Sequence, residues 1–435
     1  MSDESAEITT TASFPEPGTA HREPGLRELL RETFNRRLFA YLGPGFLVSV
    51  GYMDPGNWGT DLEAGSRFGY RLLWVLFASN IMAIVLQTLA AKLGLVTGRT
   101  LAQNCREHFS RPVNYFLWLT AEAAMMATDL AEFLGAALGF YILFHIPMLA
   151  AGLLTGVVVF LILALSRYGY RKVEYAIIGM VSIIGVCYFL ELILAKPEWG
   201  VVTRHMVVPW VNSQSILVAV GMLGATVMPH NLFLHSGVIQ TRALPGNNAH
   251  NTRVFRFAVV DAIFSLTMAW LINSAILIMS AATFHREGLV VASITQAHQT
   301  LRPLLGAGAS AAFAIALLSS GLSSSTTGTM AGQIVIEGFL RIRFSIWLRR
   351  LITMIPALIV IALGINEIKV LVLSQVCLSM QLPFAIIPLL LFTRRKDIMY
   401  EHTNLRVTNI VAWAITAIIV ALNALLLYRV FGGRF

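Results

Sequence analysis

Long apolar runs separated by short polar breaks carry the chain from about residue 39 to residue 431. A helix needs about 20 mostly apolar residues to cross a bilayer. Runs of that length recur at 39–66, 71–96, 113–143, 148–166, 173–195, 213–241, 254–284, 307–338, 345–365, 367–393 and 407–431. In lipid each spanning segment must satisfy its own backbone polar groups, which an α-helix does. The pattern therefore predicts an all-α integral membrane protein with eleven transmembrane helices. The stretch 285–306 is amphipathic and is expected at the interface. Residues 1–38 are polar, lack the apolar core of a signal peptide, and are expected to form a disordered cytoplasmic tail. Residues 39–431 are expected to form a single transmembrane domain.

Composition agrees with this pattern. Hydrophobic residues make up 56% of the chain and charged residues only 13%, against roughly 25% charged in soluble domains. The net charge of +9 would suit nucleic acid, but the positive residues sit in the breaks between apolar runs, which excludes that reading. If the N-terminus is cytoplasmic, 22 of the 32 Lys and Arg residues fall inside and nine outside, with Lys92 at the inner end of the second span. The bias predicts an inside N-terminus and an extracytoplasmic C-terminus. Cys105, Cys187 and Cys377 show no paired spacing, so neither a disulfide framework nor a thiolate site is expected.

Two spans are interrupted. The first contains Asp54-Pro55-Gly56-Asn57 near its middle. Pro55 has no N–H to give, and Gly56 holds a helix poorly. A carboxylate at this depth is costly unless it faces protein or water. Asp54 could serve only as a helix cap, but capping does not explain a charge placed here. The sixth span repeats the pattern at Ala225-Thr226-Val227-Met228-Pro229-His230-Asn231. Spans one and six open two five-span halves, about 39–195 and 213–393, with an extra helix at about 407–431. Five is odd, so the second half is inverted. Paired interruptions at corresponding places point to a transporter site.

The candidate ligands there are the Asp54 carboxylate, the Asn57 amide oxygen, the Met228 thioether and a freed carbonyl such as that of Ala225. Hard oxygens alone would suit Mg²⁺ or Ca²⁺. A neutral sulfur shifts preference toward Mn²⁺, Fe²⁺, Co²⁺ or Cd²⁺, although Met is more often core filler. A Mg²⁺ carrier, a sodium-coupled symporter of an organic solute and a membrane enzyme are the competing classes. No nucleophile–base set supports an enzyme, and no prosthetic group is expected.

At these residues the chain strongly resembles the Nramp family of proton-coupled divalent metal transporters. The matching pieces are Asp54-Pro55-Gly56-Asn57, Met228-Pro229-His230, Thr128-Asp129-Leu130-Ala131-Glu132-Phe133, Ser374-Gln375-Val376 and Gln381-Leu382-Pro383-Phe384. They run from about Leu42 to beyond Phe392. The resemblance implies the inverted-repeat fold of the amino-acid:sodium symporters. It implies metal coordination by Asp54, Asn57, Met228 and the Ala225 carbonyl, with Gln375 joining in some conformations. Magnesium-transporting relatives depart from the pattern at this site, so the chain looks like a transition-metal member. The expected activity is import of Mn²⁺ or Fe²⁺ with H⁺ by alternating access. A monomer in a bacterial inner membrane is expected.

The third span carries Glu122, Asp129 and Glu132 at spacings of seven and three, which places them on one helical face. They read either as a proton relay or as a structural network. His230 and His235 stand in the sixth span, where His230 could carry a proton or brace the break. Arg349 and Arg350 open span nine, as a relay exit or as ordinary inside charges. The resemblance favours proton-path roles for Asp129, Glu132, His230 and one of the arginines. The Ser and Thr residues of 323–329 read as satisfying backbone groups and letting helices pack closely.

Overall fold

The computed structural model describes residues 43–165, 170–242, 248–343 and 345–430. The expected tail 1–38 lies outside the described residues, as do the first residues of the run 39–66 and the last residues of the runs 148–166 and 407–431. Every described element is helical. In chain order the helices are α1 (Pro44–Gly51), α2 (Pro55–Phe68), α3 (Leu73–Thr97), α4 (Leu101–His108), α5 (Arg111–Phe144), α6 (Met148–Ala164), α7 (Tyr170–Ala195) and α8 (Trp199–Val207). They continue with α9 (Ile216–Val227), α10 (Pro229–Val238), α11 (Asn248–Thr283), α12 (Ile294–Leu305), α13 (Ala307–Leu340), α14 (Ile346–Ala362), α15 (Glu367–Thr393), α16 (Lys396–Met399) and α17 (Arg406–Val430).

Among the described residues, eight helical segments are long and apolar enough to cross a bilayer: Pro55–Thr97, Arg111–Phe144, Lys172–Ala195, Ile216–Arg242, Thr252–Glu287, Ala307–Leu340, Glu367–Thr393 and Arg406–Tyr428. Three of the runs read from sequence take another form. The first is split into α1, of eight residues, and α2, of 14. The runs 148–166 and 345–365 become α6 and α14, of 17 residues each.

Burial explains how these helices sit. Leu149, Leu153, Val157 and Leu161 of α6 are 50–64% exposed at a spacing of four, which makes one apolar stripe turned away from the protein. Leu348, Ile352, Ile355 and Ile359 give α14 a similar stripe. Such continuous apolar exposure suits lipid. By contrast α9 and α10 are almost wholly enclosed. α5 packs along α13, where Gly321 lies against the backbone of Ala136. A small residue at that crossing lets two helices approach closely. α15 lies against α5, α9 and α2, and α11 lies against α1, α2 and α3. The amphipathic stretch is α12, which buries Ile294, Ala297 and Leu301 at helical spacing.

α1 starts on a borrowed cap. Its first N–H groups, at Gly43 and Gly45, donate to Asp261 Oδ2 of α11 at 3.2 and 2.7 Å. Beside them Arg242 pairs with Glu174 at 2.8 Å. A Cβ on Gly43, whose φ is +143°, would press on both side chains of that pair.

Candidate metal centre

Both interruptions follow from proline. Asp54 caps α2, its Oδ1 accepting from Asn57 N at 2.8 Å, and Pro55 occupies the first helical position, where its missing N–H costs nothing. The capping reading of Asp54 is therefore met, and it leaves the carboxylate's second oxygen free for other work. At the second break α9 ends at Val227 and α10 starts at Pro229. In an unbroken helix the Ala225 carbonyl would accept from the N–H four residues on. That position is Pro229, so the carbonyl is released. Met228 bridges the two half-helices at φ +40° and ψ 102°, a backbone region that costs a non-glycine residue roughly 1–3 kcal/mol.

The two breaks face each other. Asn57 Nδ2 donates to Asp54 Oδ1 at 2.6 Å and across to the Ala225 carbonyl at 3.1 Å. Gln375 of α15 donates from Nε2 to Asp54 Oδ2 at 3.1 Å. Asn231 Nδ2 lies 3.5 Å from Met228 Sδ. Asp54, Asn57, Ala225, Met228 and Gln375 are each 0% exposed. One carboxylate, two amides and one carbonyl thus converge where α2, α9 and α15 meet, while Met228 stands three residues beyond Ala225 at the second break with its sulfur against Asn231. The Asn57 and Gln375 amino groups point at the carboxylate in the manner of a cation. A half-turn of each amide would present its oxygen instead, and Gln375 Oε1 is buried with no partner. Among the described residues no three His, Cys, Asp or Glu side chains form a conventional metal cluster. The donor set rests on backbone and neutral groups around a single formal charge.

The charges of α5 lie alongside. Glu122 pairs with Arg349 at 2.9 Å and Asp129 with Arg350 at 3.3 Å. Arg350 Nη2 also donates to Ser325 of α13 at 2.6 Å. Arg349 and Arg350 are only 2% and 0% exposed. They are partners of α5 inside the protein, not loop charges at the head of α14. Glu132 is fully buried, with neither oxygen hydrogen-bonded. It lies within electrostatic reach of Asp54, Asp129 and Arg350. His230 Nδ1 reaches Thr128 Oγ1 at 3.5 Å, next to Asp129 in sequence. His235 stands elsewhere: its Nδ1 meets Gln87 Oε1 at 3.0 Å, and Gln87 donates onward to the Tyr52 hydroxyl at 2.9 Å.

Sequence reasoning missed several partners. Asn273 of α11 donates to the Tyr52 carbonyl at 2.6 Å and to Asn57 Oδ1 at 3.3 Å. A lone amide within an apolar run was the available signal for Asn273 and for Gln87. Ser323, Ser324, Thr326, Thr327 and Thr329 of α13 donate to backbone carbonyls as expected, while Ser325 accepts from Arg350 and Ser320 donates to the Met53 carbonyl. Asp61 and Glu191 are further buried carboxylates without hydrogen-bond partners.

A helical membrane protein with two facing interrupted helices around one buried carboxylate falls in the class of carriers with a mid-helix site. A family profile described as natural resistance-associated macrophage protein-like matches residues 45–429. The chain belongs to this family, Nramp. It is 48% identical over 400 residues to a divalent metal cation transporter MntH of Caldanaerobacter subterraneus, covering 92% of this chain and 95% of that one. It is 46% identical over 424 residues to a protein of the same description from Deinococcus radiodurans, covering 96% and 97%. Crystal structures of mutants of the Eremococcus coleocola manganese transporter superpose with a TM-score of 0.82 at 34% identity, covering 95% of this chain and 91% of that one. A nucleobase-cation-symport-1 family transporter shares the fold at a TM-score of 0.60 and 14% identity, covering 88% and 91%.

Proposed function

We propose that this chain imports divalent transition-metal ions, Mn²⁺ or Fe²⁺ first and Co²⁺ or Cd²⁺ with them, together with protons by alternating access. The observation that carries the reading is the convergence of Asp54, Asn57, the Ala225 carbonyl and Gln375 at two facing helix breaks, with Met228 at the second break itself. A divalent ion leaving water needs a compensating negative charge, and Asp54 supplies it. Oxygen ligands alone would accept Mg²⁺ and Ca²⁺ equally well; the Met228 sulfur tilts the preference toward softer ions. The names of the similar proteins from Caldanaerobacter, Deinococcus and Eremococcus support metal ions, and manganese among them, as cargo.

The proposed architecture has eleven spans, with α1 and α2 together as the first and α6 and α14 among the rest. Their lipid-suited stripes support the last two. Two inverted halves, 39–195 and 213–393, place the breaks at corresponding positions, and the extra helix follows. The positive residues support a cytoplasmic N-terminus and an extracytoplasmic C-terminus in a bacterial inner membrane. The protein works as a monomer. Protons travel by Glu122, Asp129, Glu132, His230 and the two arginines, with Glu132 in electrostatic reach of both Asp54 and Asp129. His235, joined to Tyr52 through Gln87, acts beneath the first break.

Purified protein in liposomes tests the reading. Mn²⁺ should enter in the presence of a large Mg²⁺ excess, and Asp54→Ala should stop it while the protein remains folded. Suppression by Mg²⁺ would point to a magnesium carrier. Suppression by an organic solute, with a sodium requirement, would point to a solute symporter.

A further inference from the structure

We infer that Asn231 is a positioning residue that fixes the Met228 thioether for cation selection, an inference that rests on the proposed reading of Met228 as a ligand. Asn231 is the side chain through which the two breaks touch at the sulfur. Its Nδ2 donates to Met228 Sδ at 3.5 Å and to the Val48 carbonyl of α1 at 3.1 Å. An amide nitrogen carries two hydrogens, so both bonds can be made at once.

Each acceptor is available because a helix stops. In a continued helix the Val48 carbonyl would accept from the N–H four residues on, at Tyr52. Tyr52 N donates to Ser49 O instead, at 3.1 Å, as α1 tightens before the break. Met228 lies at the corresponding interruption of the second half. The amide therefore links a carbonyl released by the first break to a sulfur exposed by the second. The Val48 carbonyl also settles which way the amide points, since an oxygen turned toward it would repel it. Gly51 makes the arrangement possible: a Cβ there would come within 2.5 Å of Asn231 Nδ2.

The chemistry follows from the flexibility of methionine. Three rotatable bonds let a thioether settle in many orientations. Thioether sulfur has two lone pairs. A donor on one of them holds the side chain and leaves the other for a metal ion. Without the donor the sulfur is free to turn away, and the site reverts toward oxygen ligands that do not discriminate against Mg²⁺ and Ca²⁺.

The test measures inhibition of Mn²⁺ uptake by Cd²⁺ and by Ca²⁺ in liposomes. Their ratio is read within one sample, so it does not depend on how much protein folds. Wild type is compared with N231L, N231Q, M228A and the double variant M228A/N231L. N231L should shift the ratio toward Ca²⁺ by about two- to tenfold, the range of a single net hydrogen bond. N231Q, which keeps the donor, should recover part of the loss. The double variant should behave like M228A alone, because the amide acts through the sulfur. A wild-type ratio in N231L, or additive losses in the double variant, would overturn the inference and leave Met228 as a ligand. A wild-type ratio in M228A would remove Met228 from the site and the inference with it.

Discussion

Gln375 donates from Nε2 to Asp54 Oδ2 at 3.1 Å, joining residues 321 positions apart in the chain. Both side chains are fully enclosed, and the amide oxygen of the glutamine, Oε1, is buried without a partner. The amino group thus satisfies half of a carboxylate that has no cationic side chain bonded to it. Replacing it with leucine should leave Asp54 Oδ2 short of a donor, at a cost of about 1–3 kcal/mol. Gln375→Leu is therefore expected to melt at lower temperature and to take up Mn²⁺ more slowly than wild type. Calorimetry together with uptake checks both, and unchanged values in the two assays would remove Gln375 from the site.

Gly56 bears on the same contact. A Cβ at that position would run into the Gln375 amide. Gly56→Ala should consequently abolish or severely slow Mn²⁺ uptake. The double variant Gly56→Ala/Gln375→Ala should regain part of it, because the shortened side chain makes room. Failure of the second substitution to restore any transport would show that the glycine serves the backbone and not the glutamine.

Arg350 and Asp129 form a pair with almost no access to solvent. Removing one partner of a buried pair strands the other charge, at a cost of roughly 3–5 kcal/mol. Arg350→Met should therefore destabilise strongly. The double variant Arg350→Met/Asp129→Leu should recover much of the loss. Thermal unfolding of the two variants in detergent decides this. Equal melting of the single variant and wild type would mean that the ion pair is absent in the membrane protein.

Metal entry should bring protons with it. A divalent ion beside one carboxylate leaves net positive charge in a low-dielectric setting, which favours release of a proton held nearby. Glu132, within reach of both Asp54 and Asp129, is placed to feel the ion first. Asp129→Asn and Glu132→Gln should each weaken proton influx more than Mn²⁺ binding. A pH-sensitive dye inside vesicles, recorded alongside Mn²⁺ entry, reads the two together. Full proton influx in both variants would rule out this relay. No influx in wild type would make the chain a metal uniporter.

The helical runs and the two breaks were legible because they follow from composition and from proline, which act locally. Asp54, Asn57, Ala225 and Met228 could be named for the same reason: each lies within four residues of an interrupting proline. Asn273 and Asn231 were not seen as partners, because their roles come from which helices meet and not from their neighbours in sequence. The arginines show the same limit from the other side. Arg349 and Arg350 sit in sequence where inside loops keep their charge, yet the 17-residue α14 carries them into the protein against α5.

The borrowed cap on α1 also sets an order of assembly. An eight-residue helix is too short to hold itself together in isolation. Its first N–H groups wait for Asp261, which lies 218 residues further along the chain. At a synthesis rate of about 5–20 residues per second, that carboxylate leaves the ribosome roughly 10–40 seconds after the helix it completes. Through that interval the Gly43 and Gly45 N–H groups lack the acceptor that the folded protein gives them. Much of the second half must be made before the opening element of the first can come to rest.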